Sequence, residues 1–110
     1  DNVYNLKLSQ LYQIFYQTLQ RAKEIPEEEP IREVKVEKDT YSLEDMILSL
    51  SSRIRRGESL HFRELLVAIE TKSGMVTIFM AVLELLKQQV MDMRYEDDDI
   101  IFTAALDGAV

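Results

Sequence analysis

Few side chains of this chain could do chemistry, and their spacing argues against a reaction. His61 is the sole histidine; it precedes Phe62 at the head of a helical pattern, with no serine or carboxylate constellation around it. A general base needs such partners within hydrogen-bond reach, so His61 reads as a local cap or a surface residue. Glu96, Asp97, Asp98 and Asp99 form an acidic run that could attract a divalent cation. The run lacks the spacing and the glycine of a calcium loop, and reads instead as a turn that keeps a hairpin soluble and guards its edge. Arg53, Arg55, Arg56 and Arg63 make a short basic group. They suit an acidic partner, a helix carboxy terminus, the chain's own acids or DNA. With no cysteine, disulfides, thiolate nucleophiles and cysteine-based zinc sites are excluded. No catalytic, metal or cofactor-binding residue is assigned, and the chain reads as a non-enzyme that needs no cofactor.

The elements that carry these residues follow from composition and periodicity. In 110 residues, 46% of them hydrophobic, there is room for one domain with a real core and an appended element. Thirteen Lys and Arg against 20 Asp and Glu leave a net charge of -7, which repels nucleic acid and anionic membrane surfaces. No apolar run approaches the roughly 18 residues needed to span a bilayer. The chain starts at Asp1 without an initiator methionine or a signal-peptide pattern, as expected of a piece of a longer protein or of a disordered start.

Four units are expected: an amphipathic helix within 1–24, an acidic proline-containing linker over 25–30, a winged-helix domain over 31–104 and a tail over 105–110. In the first, Leu8, Leu11, Tyr12, Phe15, Leu19 and Ala22 recur at three- and four-residue steps, opposite a row of glutamines. Two prolines and a run of acids then stop the helix and favour an extended connection, so the helix is expected to be hinged. A strand is expected over 31–37, where Val34 and Val36 alternate with charges. A helix capped by Ser42 and ended by Gly57 follows, with Leu43, Met46, Ile47, Leu50 and Ile54 inward. A shorter helix spans about 60–69, with Phe62, Leu65, Leu66 and Ile69 inward. A long helix, KSGMVTIFMAVLELLKQQ, covers Lys72 to Gln89. A hairpin with strands at 90–95 and 100–103 closes the unit. The order strand, helix, helix, helix, strand, strand is that of a winged helix, an α+β domain that is mainly α, here preceded by a separate amphipathic helix.

The long helix would read DNA if this were a regulator. At about 100° per residue, Ile78, Leu85, Val82, Met75, Leu86, Phe79, Leu83 and Val76 cover roughly half its circumference. The other arc holds Thr77, Met80, Ala81, Glu84, Lys87 and Gln88, with one acid and one base. That arc has no row for phosphates and no arginine for guanine edges. The central apolar residues are expected in the core, and the flanking ones stand between core and partner contact.

The segments HFRELL, KSGMVTIFMAVLELLKQQVMDM and DDDIIFTA, in this order and spacing, resemble the carboxy-terminal domain of the bacterial kleisin family ScpA. The similarity covers 31–104 well and 5–22 moderately. It departs at the hairpin turn, where many members carry an aromatic residue and a glycine and this chain has Glu96 to Asp99. The resemblance implies a structural subunit in chromosome condensation and segregation, cytoplasmic and nucleoid-associated. Its winged helix would dock on the head of an SMC ATPase, away from the nucleotide, and bridge SMC to the partner ScpB. It also implies no sequence-specific nucleic-acid contact and no membrane. On this basis Ile78, Val82, Leu85, Met91, Met93 and Tyr95 are expected to form the head-binding surface. Leu8, Leu11, Phe15 and Leu19 are expected to meet either ScpB or the domain itself. Exposed apolar surface leaves room for a homodimer of the isolated chain. The alternative is a DNA-binding winged-helix regulator that uses the arginine group.

Overall fold

Helix α1 (Asn2–Arg21) is followed by α2 (Leu43–Arg55), β1 (Leu60–His61), α3 (Phe62–Ile69), α4 (Lys72–Lys87), β2 (Met91–Glu96) and β3 (Asp99–Ala104). This is the architecture of the computed structural model, which describes residues 2–22 and 41–106. The strand expected over 31–37 and the linker over 25–30 lie outside the described residues. The three strands form one antiparallel sheet in the order β1-β3-β2. Helices α2 to α4, β1 and the β2–β3 hairpin make the winged helix, and α1 packs against it.

Local chemistry starts and stops α2 as the sequence predicts. The Ser42 hydroxyl accepts from Asp45 N at 3.2 Å and caps α2. At the other end Gly57 (φ 94) takes the left-handed position; its N–H reaches Ile54 O and that of Glu58 reaches Arg53 O. The two bonds define a Schellman stop. Helix α4 is capped by Thr71, whose hydroxyl accepts from Gly74 N, and it ends in the same motif. There Gln89 (φ 62) holds the left-handed position and Val90 N bonds Leu85 O.

Tertiary pairing overrides the periodic pattern at one place. Leu60 and His61, expected to begin a helix, pair as a short strand with Phe102 and Ile101. Leu60 is thereby buried and α3 starts at Phe62. The hairpin turns on Asp97 and Asp98, both with positive φ, and Glu96 pairs Asp99 across it. Positive φ at both central residues is the type I′ geometry that matches the twist of a two-residue hairpin.

Helix α1 is an integral wall of the core, not a hinged appendage. Leu11, Ile14 and Phe15 are buried, and Leu8, Leu19 and Ala22 pack partly buried against the same cluster. The Phe15 ring stacks on Phe79 of α4 at 4.1 Å between centroids and 7° between planes. Phe79 also tilts against Tyr12 of α1 and Phe62 of α3, and Phe62 meets Phe102 of β3 edge-on at 5.8 Å. Stacked or edge-on aromatic pairs contribute about 0.5–1.5 kcal/mol beyond the area they bury. Of the two roles open to Leu8, Leu11, Phe15 and Leu19, the structure shows the intradomain one.

Leu11 has no exposed surface. In urea denaturation of the chain, Leu11→Ala should cost about 2–5 kcal/mol, the range for truncating a buried leucine. Unchanged stability would mean that α1 does not belong to the cooperative unit.

Candidate protein-docking site

The structure corrects the expected head-binding surface. Ile78, Val82, Leu85, Met91 and Met93 all lie in the core, and of the six only Tyr95 is exposed. The reason is a rotation of α4 about its axis relative to the expectation. Its buried face runs through Gly74, Met75, Ile78, Ala81, Val82, Leu85 and Leu86. Ala81, expected on the outer arc, has no exposed surface, whereas Val76 and Leu83, expected on the apolar face, are turned out. Helix α4 packs chiefly on α2. Gly74 shows how closely α4 approaches its neighbours at its amino-terminal end. A Cβ there would sit 2.8 Å from two Ile69 side-chain carbons and 2.9 Å from Tyr41 Cε2. Small residues on the packed face allow that approach, and large apolar ones are displaced to the flank.

The displaced residues form the candidate site. Val76, Met80 and Leu83 are 39%, 48% and 37% exposed. Their steps of four and three place them on one stripe of α4. Phe79 borders the stripe, half-buried, and carries the row on to Tyr12 and Tyr16 of α1. Tyr12 and Tyr16 are exposed and stack on each other at 6.3 Å. The surface thus crosses from α4 to α1 through aromatic rings. It is apolar, carries no nucleophile, and offers contact area without a reaction centre.

The arginine group is divided by the fold. Arg53 Nε bonds Glu58 Oε1 at 2.8 Å and Arg56 bonds the other carboxylate oxygen at 3.2 Å. These contacts hold Glu58 below its ordinary value of 4.5, first through the Arg53 hydrogen bond and then through Arg56 and the charges of both. Arg63 stands apart, on α3 beside the wing. Its Nε donates to Asp98 O at 2.8 Å and its guanidinium pairs with the Asp98 carboxylate at 3.3 Å. Three of the four arginines therefore serve the chain's own acids, the intramolecular reading among those open to them.

The acidic turn has a structural task that its sequence does not show. Helix α3 lacks a side-chain cap from its own N-cap residue, His61. Asp99 supplies one from the hairpin: its Oδ1 accepts from Arg63 N at 3.2 Å and from Ile100 N at 2.8 Å. His61 Nδ1 lies 3.8 Å from the other oxygen of the same carboxylate. Tyr95 donates its hydroxyl to Asp98 Oδ1 at 3.0 Å, and that bond, with burial and the Asp98 charge, pushes its ionisation above 10.0. Among the described residues no group of three or more His, Cys, Asp or Glu is arranged to hold a metal ion. Nor is any described helix long and apolar enough to cross a membrane.

A trihelical core, a three-stranded sheet ending in a wing and an apolar stripe on the last helix define a winged-helix module with an added amino-terminal helix. Within that class the chain belongs to the segregation and condensation protein ScpA family, whose model matches residues 4–102. It is 31% identical over 96 residues to segregation and condensation protein A of Macrococcus caseolyticus (strain JCSC5402). The match covers 87% of this chain and 38% of that relative, so the chain corresponds to a part of it. No solved structure matches the chain significantly.

Two outcomes follow from the polar contacts. Asp99→Ala removes a helix cap and should lower stability by about 1 kcal/mol in urea denaturation. The depressed Glu58 carboxyl favours the folded state only when ionised. Its contribution is complete above pH 4.5 and fades as pH falls through its lower folded value. Glu58→Gln should therefore flatten the acid limb of a stability-versus-pH profile and leave its shape near neutrality unchanged.

Proposed function

We propose that this chain is the head-docking end of a kleisin subunit, a non-enzymatic part that fastens the subunit to the ATPase head of an SMC protein. The subunit as a whole would bridge SMC and ScpB in chromosome segregation and condensation, in the cytoplasm and on the nucleoid. The observation that carries this reading is the apolar stripe of Val76, Met80 and Leu83, which the described residues leave exposed. Tyr12 and Tyr16 extend it at its margin through Phe79. Family membership supports the wider role in chromosome segregation and condensation.

The chemistry suits a lasting protein contact. Burial of each large apolar side chain contributes roughly 1.5–3 kcal/mol, and aromatic anchors at the rim add contact area at small entropic cost. Charge argues in the same direction. The net charge of -7 disfavours a phosphate backbone, and among the described residues three of the four grouped arginines are paired internally. With the row of Leu8, Leu11, Phe15 and Leu19 packed into the core, contact with ScpB falls to other parts of the subunit.

Met80→Glu and Leu83→Glu should each abolish co-purification with an isolated SMC head domain while leaving the circular dichroism spectrum unchanged. The unaltered chain should leave short duplex DNA unshifted in low-salt electrophoresis. Survival of head binding in both variants would place the docking surface elsewhere, and a DNA shift would favour the regulator reading.

A further inference from the structure

All the sulfur of this chain is in methionine, for it has five methionines and no cysteine. A thioether is soft and readily oxidised, and access from solvent decides which one reacts. The fold ranks the five. Met75, Met91 and Met93 are enclosed in the core, and Met46 packs partly buried against it. Met80 alone is open to water, at 48%.

Met80 is also the middle of the α4 stripe. It lies four residues after Val76 and three before Leu83, so one helix face carries all three. An unbranched, polarisable thioether suits that place, because it adapts its shape to the surface that covers it. Oxidation reverses the fit. A sulfoxide carries a polar acceptor oxygen, hydrated while exposed and costly to bury without a donor. The neighbours Val76 and Leu83 have no side-chain donor to offer it.

We propose that Met80 is a reversible modification site, at which a hydroperoxide switches off docking through the α4 stripe. The proposal rests on the head-docking reading of that stripe. In the step, the Met80 sulfur lone pair attacks one oxygen of hydrogen peroxide. An S–O bond forms and the O–O bond breaks. The other oxygen takes the remaining proton and leaves as water, so sulfur loses two electrons and the peroxide gains them. Methionine sulfoxide reductases, one for each sulfoxide epimer, return the thioether. The modification belongs to the undocked chain, since a partner seated on the stripe covers the sulfur. Oxidation therefore prevents docking and does not dissolve a complex already made. Burial of Met75, Met91 and Met93 lets the peroxide alter the surface before it reaches the fold.

The test treats the whole chain with hydrogen peroxide and maps the product by peptide mass spectrometry. The first added oxygen should fall on Met80, with the circular dichroism unchanged. The singly oxidised chain should bind an SMC head domain roughly tenfold or more weakly than the untreated chain, the scale of losing the burial of one large apolar side chain. Both classes of sulfoxide reductase together should restore the affinity. Met80→Leu has no sulfur at this position, so peroxide should leave its affinity where it was, whatever that value is. If Met80→Leu does not bind at all, rescue by the reductases decides. First oxidation at Met46 or a core methionine, undiminished binding by the Met80 sulfoxide, no rescue, or an equal peroxide loss in Met80→Leu would each overturn the proposal. Failure of the untreated chain to bind the head would sink the docking reading itself and the proposal with it, whereas the other outcomes leave that reading standing.

Discussion

The close packing of α4 at its small residues sets the rest of the structure. At Gly74 even one added carbon would lie within 3 Å of Ile69 and Tyr41, and Ala81 is wholly enclosed. Those two positions orient the helix about its own axis. Once they face inward, Ile78, Val82, Leu85 and Leu86 are carried into the core with them. Val76, Met80 and Leu83 are carried out by the same rotation. The helix has more apolar surface than one small domain can enclose, and its smallest residues decide which part remains in water.

Helix α1 takes up part of the excess. Its Phe15 covers Phe79, which would otherwise extend the exposed stripe, and the rings continue through Phe62 to Phe102 in the sheet. The series joins α1, α4, α3 and β3 in one packed unit. It stops short of Val76, Met80 and Leu83, and that boundary between Phe79 and its exposed neighbours separates core from candidate interface. The wing is held by different means. Asp99 caps α3 from across the turn, and Arg63 answers from that helix to Asp98. Together they bind the hairpin tip to the helix it must sit beside. These contacts accompany unfavourable local geometry, since Asp97 and Asp98 both occupy the left-handed region, at about 1–2 kcal/mol per residue.

Legibility in the sequence followed the range of the forces involved. The caps at Ser42 and Gly57, the limits of α4 and the hairpin depend on near neighbours, and each was readable from a few residues. The two-residue strand at Leu60 was not, because its partner Phe102 lies far along the chain. Ile14 escaped the apolar row of the first helix and yet is buried there. The site was the least legible part. Hydropathy ranks Leu83 and Val76 above Ala81 as core residues, while packing ranks them the other way, because a methyl side chain allows helices to approach that a larger one holds apart. An acidic turn likewise reads as solubility until the fold brings an uncapped helix to it.

By itself the sequence determined the four helices and the closing hairpin, the mainly helical winged-helix class, the absence of cysteine chemistry and the unfavourable balance of charge for nucleic acid. These are properties of spacing and composition, and they persist in any arrangement of the chain. Only the tertiary structure decided that α1 belongs to the core, that Ile78, Val82, Leu85, Met91 and Met93 are enclosed, and that Val76, Met80 and Leu83 face water. A helix with apolar residues on more than half of its surface has several nearly equivalent ways to face a core. The choice among them rests on the fit of its small residues against particular neighbours, and those neighbours are assembled only when the chain folds.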